Sequence, residues 1–199
     1  LDAFLAVTLA CGFEGDLFGE HVQLEPADVL IISKSRETSQ SVIRACNKHL
    51  QALSIQGALT DDKFGSLNRI KLANGCYIQA FAGTPDSIHG FTGHVLIDEL
   101  AANPNDPEEL WSQAAWVTSS SPDYRIIVTT NMGEKDSHVD RWLNTDEFKD
   151  ARDEFVCFNH TIHDVYPNGV PEHILKRRKI VTKMYWDRYM LNIPSADKD

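Results

Sequence analysis

The chain has 199 residues, 42% of them hydrophobic and 24% charged, with a formal net charge of −10. That length and mixture suit one globular α/β domain with a sizeable core and leave no room for a second full domain. No apolar run approaches the roughly twenty residues that span a bilayer, the opening Leu-Asp-Ala-Phe-Leu-Ala-Val lacks the basic flank of a secretory signal, and the acidic excess excludes a surface that is everywhere a nucleic-acid footprint. The composition therefore predicts a soluble, intracellular protein without a membrane partner.

Leu1, Phe4, Leu5, Thr8 and Leu9 recur at helical spacing with no capping residue before them, so the chain opens inside a helix. Asp28-Val-Leu-Ile-Ile-Ser33 is a short, nearly continuous apolar strand, the kind buried on both faces of a parallel sheet. From Arg36 to about Leu53, the residues Val42, Ile43, Cys46, Leu50 and Leu53 form one apolar stripe, which makes a βα unit. Arg69–Leu72 and Cys76–Ala82 flank Ala-Asn-Gly, a hairpin signal. Val95–Asp98 is another buried strand. Asp106-Pro107-Glu108-Glu109 announces a helix to about Val117, with a capping Asp, Pro at the first helical position and acids in the first turn. Ser119–Asp123 breaks the chain before a strand that begins at Arg125. A short helix over Val139–Leu143, a strand over Glu154–Phe158 and a helix from about Pro171 to Leu191 complete the order. Alternating strands and helices imply an α/β fold, a mostly parallel sheet with helices on both faces.

Several residue types are read as structural. Cys11, Cys46, Cys76 and Cys157 are far apart and make no metal-ligand spacing, which predicts reduced core thiols. Trp111 and Trp116 on the Pro107 helix read as core packing rather than base-stacking platforms. Lys176-Arg-Arg-Lys179, continued by Lys183 and Arg188, reads as a solvated helix face. His160, His163 and Asp164 are chemically sensible metal ligands, but no third cluster accompanies them.

The chemistry concentrates elsewhere. The strand Val95–Asp98 ends in two adjacent carboxylates, Asp98 and Glu99. Such a pair at a strand tip suits nucleoside triphosphate hydrolysis, the first carboxylate holding a water of a Mg²⁺ shell and the second orienting the attacking water. About thirty residues on, Arg125-Ile-Ile-Val-Thr-Thr-Asn-Met-Gly133 is a second apolar strand ending in small hydroxyls and an amide. Neighbouring parallel strands would bring both tips to the carboxyl edge, where such sheets bind ligands. Thr129, Thr130 and Asn131 would then sense the γ-phosphate or its water; the same three residues are also good turn caps.

In this order the motifs resemble the ATPase domain of bacteriophage terminase large subunits, the motors that pump DNA into capsids. Val95-Leu-Ile-Asp-Glu-Leu-Ala101 resembles that family's Walker B segment and Thr129-Thr-Asn131 its coupling motif. Thr84-Pro-Asp-Ser-Ile-His-Gly90 resembles the element that commonly precedes Walker B, Ile32-Ser-Lys-Ser-Arg-Glu37 the strand-to-helix turn after the first crossover, and Tyr185-Trp-Asp-Arg-Tyr-Met-Leu-Asn192 the approach to the linker before a nuclease domain. The resemblance implies a P-loop NTPase core of the ASCE, RecA-like type. It implies Glu99 as general base, Asp98 as the Mg²⁺ carboxylate, Thr129, Thr130 and Asn131 as coupling residues, and ATP as substrate. Its implied partners are double-stranded DNA, a portal protein, a small terminase subunit and further copies in a homo-oligomeric ring on the portal, in the host cytoplasm during virion assembly. Residues 1–190 would be the ATPase domain and 191–199 the start of the linker.

Two departures qualify the match. No Gly-x-x-x-x-Gly-Lys-Ser/Thr phosphate loop occurs in the chain, so the expectation is a core lacking its first strand and that loop, inactive by itself because the loop's N–H cradle and Lys supply most of the phosphate grip. His89 stands where some terminases carry an arginine that reaches a neighbour's nucleotide, and a neutral imidazole does not replace a forked, permanent cation; Arg36 and Arg125 are the substitutes considered. The alternatives are a helicase-like P-loop ATPase and a catalytically silent terminase-derived remnant that serves as a binding module.

Overall fold

The computed structural model describes residues 1–17, 20–53, 68–82, 88, 90–104, 106–146 and 160–194. The expected strand Glu154–Phe158, Cys157, His89, most of the segment before the acidic pair and the last five linker residues lie outside the described residues. The chain divides into two compact units, Leu1–Thr129 and Thr130–Asp199.

The first unit opens with helix α1 (Asp2–Cys11), a hairpin of β1 (Phe13–Leu17) and β2 (Glu20–Leu24), strand β3 (Val29–Ser33) and helix α2 (Arg36–Ala52). It continues with β4 (Arg69–Lys71), β5 (Tyr77–Ala82), β6 (His94–Asp98), α3 (Pro107–Thr118) and β7 (Ile126–Thr129). The five-stranded sheet has the order β4-β5-β3-β6-β7. Strands β5, β3, β6 and β7 run parallel, and only β4 is antiparallel, paired with β5 across the Asn74-Gly75 turn. The expected α/β class with a mostly parallel sheet is the one observed.

Burial explains why the strands read as continuous apolar runs. Val29 and Ile31 of β3, Ile78 and Ala80 of β5 and Leu96 of β6 pack with Ala3, Ala6, Val7 and Ala10 of α1 and Ile43, Cys46 and Leu50 of α2. The alternate residues Leu30, Ile32, Val95 and Ile97 point to the opposite face and are equally buried. Helix α3 lies against β6 and β7 and buries Leu110, Ala114 and Val117, so both faces are covered, as a parallel sheet requires. The side chain of Ser35 caps α2 by accepting the Thr38 N–H, and that of Asp106 caps α3 by accepting the Glu108 N–H at 2.9 Å, with Pro107 at the first position. Gly93 has φ +149, and a Cβ there would stand 2.2 Å from the Asp28 carbonyl oxygen. That contact lets the His94 N–H reach the same oxygen at 2.9 Å and sets β6 beside β3.

Three sequence expectations are corrected here. α1 buries Ala3, Ala6, Val7, Leu9 and Ala10, whereas Leu1 and Phe4 are exposed; small residues let a helix sit close to a sheet, and a helix apolar on most sides hides which stripe faces inward. Trp116 is 81% exposed, because Leu110, Ala114 and Val117 already define the inward face of α3. Among the three described cysteines, all free thiols, only Cys46 is fully buried; its burial pushes the thiol pKa up to about 12, so it packs as an inert group.

The second unit carries α4 (His138–Asn144), α5 (Ile162–Val165), α6 (Glu172–Arg177) and α7 (Lys183–Met190). The expected single helix from Pro171 to Leu191 is two helices. Ile180-Val181-Thr182 is a β-branched run with low helix propensity, and the Thr182 hydroxyl caps α7 by accepting the Tyr185 N–H at 3.2 Å. Lys176, Arg177, Arg178 and Lys179 are exposed, Lys176 pairing with Glu172 at 3.1 Å, whereas Arg188 is buried.

Candidate functional site

Parallel pairing brings the two candidate strand tips side by side. Asp98 is the last residue of β6 and lies directly across from Thr129, the last residue of β7. The tip is closed by the main chain, with the Glu99 N–H donating to the Thr129 carbonyl at 2.7 Å. Both tips are at the carboxyl edge of the sheet. Strand alternation fixes where the side chains go: Leu96 belongs to the core on the α1–α2 side, so Asp98, two residues on, faces that side too.

On that side waits a residue that sequence reasoning missed. Asp2 occupies the first turn of α1, and its Oδ1 accepts the Thr129 hydroxyl proton at 2.9 Å. The Asp98 carboxyl lies near enough to Asp2 to feel its charge. Burial pushes the Asp98 pKa up to about 6, reinforced by the negative charges of Asp2 and Glu99 and opposed by the ammonium of Lys34. Lys34 follows β3 in the turn that leads to α2, so the tips of three strands and the start of α1 converge. An acid at the start of a helix is ordinarily explained by the helix dipole, and no local pattern in the sequence marks Asp2 as aimed at strands β6 and β7.

Glu99 leaves the strand with φ 58 and ψ 49, a left-handed conformation rare for a residue with a side chain. It costs roughly 1–2 kcal/mol. The reversal ends β6 abruptly and starts a 3-10 turn over Leu100–Ala102, so consecutive carboxylates leave the backbone in different directions. Strain held at a ligand-binding edge is a feature of functional positions.

The donor set fits a hard divalent cation. Asp98 is partly buried beside the carboxylates of Asp2 and Glu99, a crowd of like charge that a cation would relieve, and Mg²⁺ takes one or two protein carboxylates while keeping its other positions for water and phosphate. Among the described residues no group of three His, Cys, Asp or Glu side chains could hold an ion by itself.

Thr130 and Asn131 open the second unit immediately after Thr129; there the Thr130 hydroxyl donates to the Asn131 carbonyl at 3.0 Å and Asn131 Oδ1 accepts the Gly133 N–H at 3.2 Å. Arg36 begins α2. Arg125 precedes β7 and so lies at the amino edge of the sheet, where its guanidinium donates to the carbonyls of Pro122 and Tyr124. Asp164 accepts the N–H and hydroxyl of Thr161, each at 2.7 Å, in a capping box for α5, which explains its place beside His163 without a metal.

No family model matches the chain, and no curated protein matches it in sequence. Solved structures do match. The large terminase of bacteriophage HK97 superposes with a TM-score of 0.64 at 13% identity, covering 84% of this chain and 40% of that one. A large terminase from a thermophilic bacteriophage, in complex with ADP, gives 0.61 at 16% identity over 85% of this chain and 40% of that one. The large terminase ATPase domain of Thermus phage P74-26 gives 0.62 at 13% identity, with 84% and 77% covered. The chain thus spans about two fifths of the longer structures. At such identities the likeness is one of architecture, and on that footing the chain has the fold of a phage large-terminase ATPase domain.

Proposed function

We propose that this chain is the ATP-hydrolysing core of a terminase large subunit, a motor that moves double-stranded DNA into a procapsid. The observation that carries the reading is the acidic pair at the carboxyl edge of β6, side by side with the Thr129 tip of β7, in a fold shared with large terminases. In this reading Asp98 would hold Mg²⁺, which would supply positive charge against the negative charge that develops on the phosphates. Glu99, re-aimed by its left-handed backbone, orients the attacking water and takes its proton. Thr129, hydrogen-bonded through its carbonyl to the Glu99 N–H, transmits the position of that carboxylate to the chain that follows, Thr130 and Asn131. The partners proposed are double-stranded DNA, a portal protein, a small terminase subunit and further copies in a ring, in the host cytoplasm.

The test is steady-state hydrolysis in the complete gene product. Glu99→Gln keeps a hydrogen-bonding side chain and loses the base, so turnover falls about 10²–10⁴-fold while nucleotide binding by calorimetry survives. Near-normal turnover in Glu99→Gln places the base elsewhere and overturns the assignment. Residues 1–199 alone, with no Gly-x-x-x-x-Gly-Lys-Ser/Thr segment, release phosphate no faster than background.

A further inference from the structure

We propose that Ser33 is a positioning residue whose hydroxyl, left unused by the fold, donates to the Asp98 carboxylate when that carboxylate holds a cation. The proposal rests on the reading above and goes beyond it by bringing a third strand tip, that of β3, into the site.

Ser33 is the last residue of β3 and has no solvent exposure. Val29 and Ile31 belong to the core on the α1–α2 side, so strand alternation turns Ser33 to that side too. The parallel register pairs Ile31 with Leu96 and Ile32 with Ile97, and its next step sets Ser33 beside Asp98, whose other neighbour is Thr129. Ile127 packs on the same core, which puts Thr129 on this face as well. Three oxygen-bearing side chains thus form a row across the carboxyl edge, from β3 through β6 to β7. The fold treats the two hydroxyls of that row differently. Thr129 donates to Asp2, whereas the Ser33 Oγ has no hydrogen-bond partner among the described residues. The serines that follow are both employed locally, Ser35 as the cap of α2 and Ser39 as a donor to the Ser35 carbonyl. A buried hydroxyl without a partner destabilises the folded chain relative to an apolar group of the same shape, so its presence at a candidate site has a cause outside the fold. Asp98 is the acceptor within reach. Adjacent strands stand about 4.8 Å apart, and rotation about the side-chain bonds of a serine and an aspartate on neighbouring strands brings hydroxyl and carboxylate together. A carboxylate that meets a cation through one oxygen keeps the other for a hydrogen bond, and donors placed there orient the ligand.

The experiment is Ser33→Ala in the complete gene product, with two readouts that need no turnover. The first is melting without Mg²⁺ or nucleotide. Alanine removes a donor that the fold does not use, so the variant melts at the wild-type temperature or above it; a drop of several degrees shows that the hydroxyl serves the fold and overturns the proposal. The second is calorimetric titration of ADP, once in Mg²⁺ and once in EDTA, the ratio of the two Kd values being what the cation adds. Ser33→Ala shrinks that ratio about tenfold and leaves the Kd in EDTA as it is in the wild type. A ratio that does not change refutes the proposal, and so does an equal loss of affinity in Mg²⁺ and in EDTA, since Ser33 would then act on the nucleotide and not through Asp98. Asp98→Asn separates this proposal from the reading beneath it. If Asp98→Asn keeps the wild-type ratio, Asp98 does not hold the cation and both fall; if it loses the ratio and Ser33→Ala does not, the role of Ser33 alone falls. In the double variant the loss is no larger than in Asp98→Asn, because the hydroxyl works only through that carboxylate, and additive losses count against it.

Discussion

Asp98 stands between two like charges, Asp2 and Glu99, with Lys34 as the opposing cation. Its pKa of about 6 in the folded chain lies above the ordinary carboxylate value of 3.8, and the sign of the consequence follows. Between those values the folded chain keeps a proton that the unfolded chain has released, so folding binds more protons and the contribution of Asp98 to stability falls as pH rises from about 4 to about 6. The measurement is melting temperature against pH for the wild type and Asp98→Asn. The difference between the two curves should open across that window in favour of the variant, and should close when Mg²⁺ at high concentration relieves the repulsion. A difference that is flat with pH would show that Asp98 is not crowded as the geometry requires. Glu99 illustrates a related economy, since its left-handed backbone is tolerated where the main-chain bond to Thr129 and the following 3-10 turn hold it from both sides.

At the level of elements, the β3–β6 pairing depends on Gly93. Gly93→Ala would drive a methyl into the Asp28 carbonyl and forces the strand start apart, with an expected cost of roughly 1–3 kcal/mol, read by urea unfolding as a lower midpoint with unchanged slope. The elements legible in the sequence were those whose local chemistry and burial agree. Strands β3 and β6 are continuous apolar runs, α2 has one stripe and a Ser cap, and α3 has Asp-Pro at its start. The acidic pair and the Thr129 tip were legible for the same reason, because each is written in consecutive residues. What escaped was decided by other parts of the chain. The β1–β2 hairpin has the strand alternation Phe13, Gly15, Leu17 and Val22, Leu24, but no apolar block large enough to distinguish it from a loop. Trp116 looked like core by residue type, and only the competing inward face of α3 turns it to solvent. Asp2 carries no sequence mark, since its neighbours Asp98 and Thr129 come to it through the sheet order rather than through spacing.

For the molecule as a whole, the sheet order does two things. It gathers the carboxyl ends of four parallel strands on one edge, which is why Asp98, Thr129 and the turn bearing Lys34 meet. It also leaves the antiparallel β4 outermost among the described strands on the other side. There the Arg69 guanidinium lies 3.7 Å above the Tyr77 ring and the Lys71 ammonium 5.6 Å from it, while Ile70 between them turns into the core. Two cations pinned along an outer strand are a guard against intermolecular sheet extension, because a second strand arriving edge-on would have to strip water from both. Replacing Arg69 and Lys71 by Thr keeps strand propensity and removes the guard. Light scattering at rising protein concentration should then show aggregates below the melting temperature, with no loss of Ile70 packing beforehand. The described edge strand farthest in sheet order from the acidic pair thus carries its own guard against edge-on pairing, in Arg69, Lys71 and the Tyr77 ring that holds them.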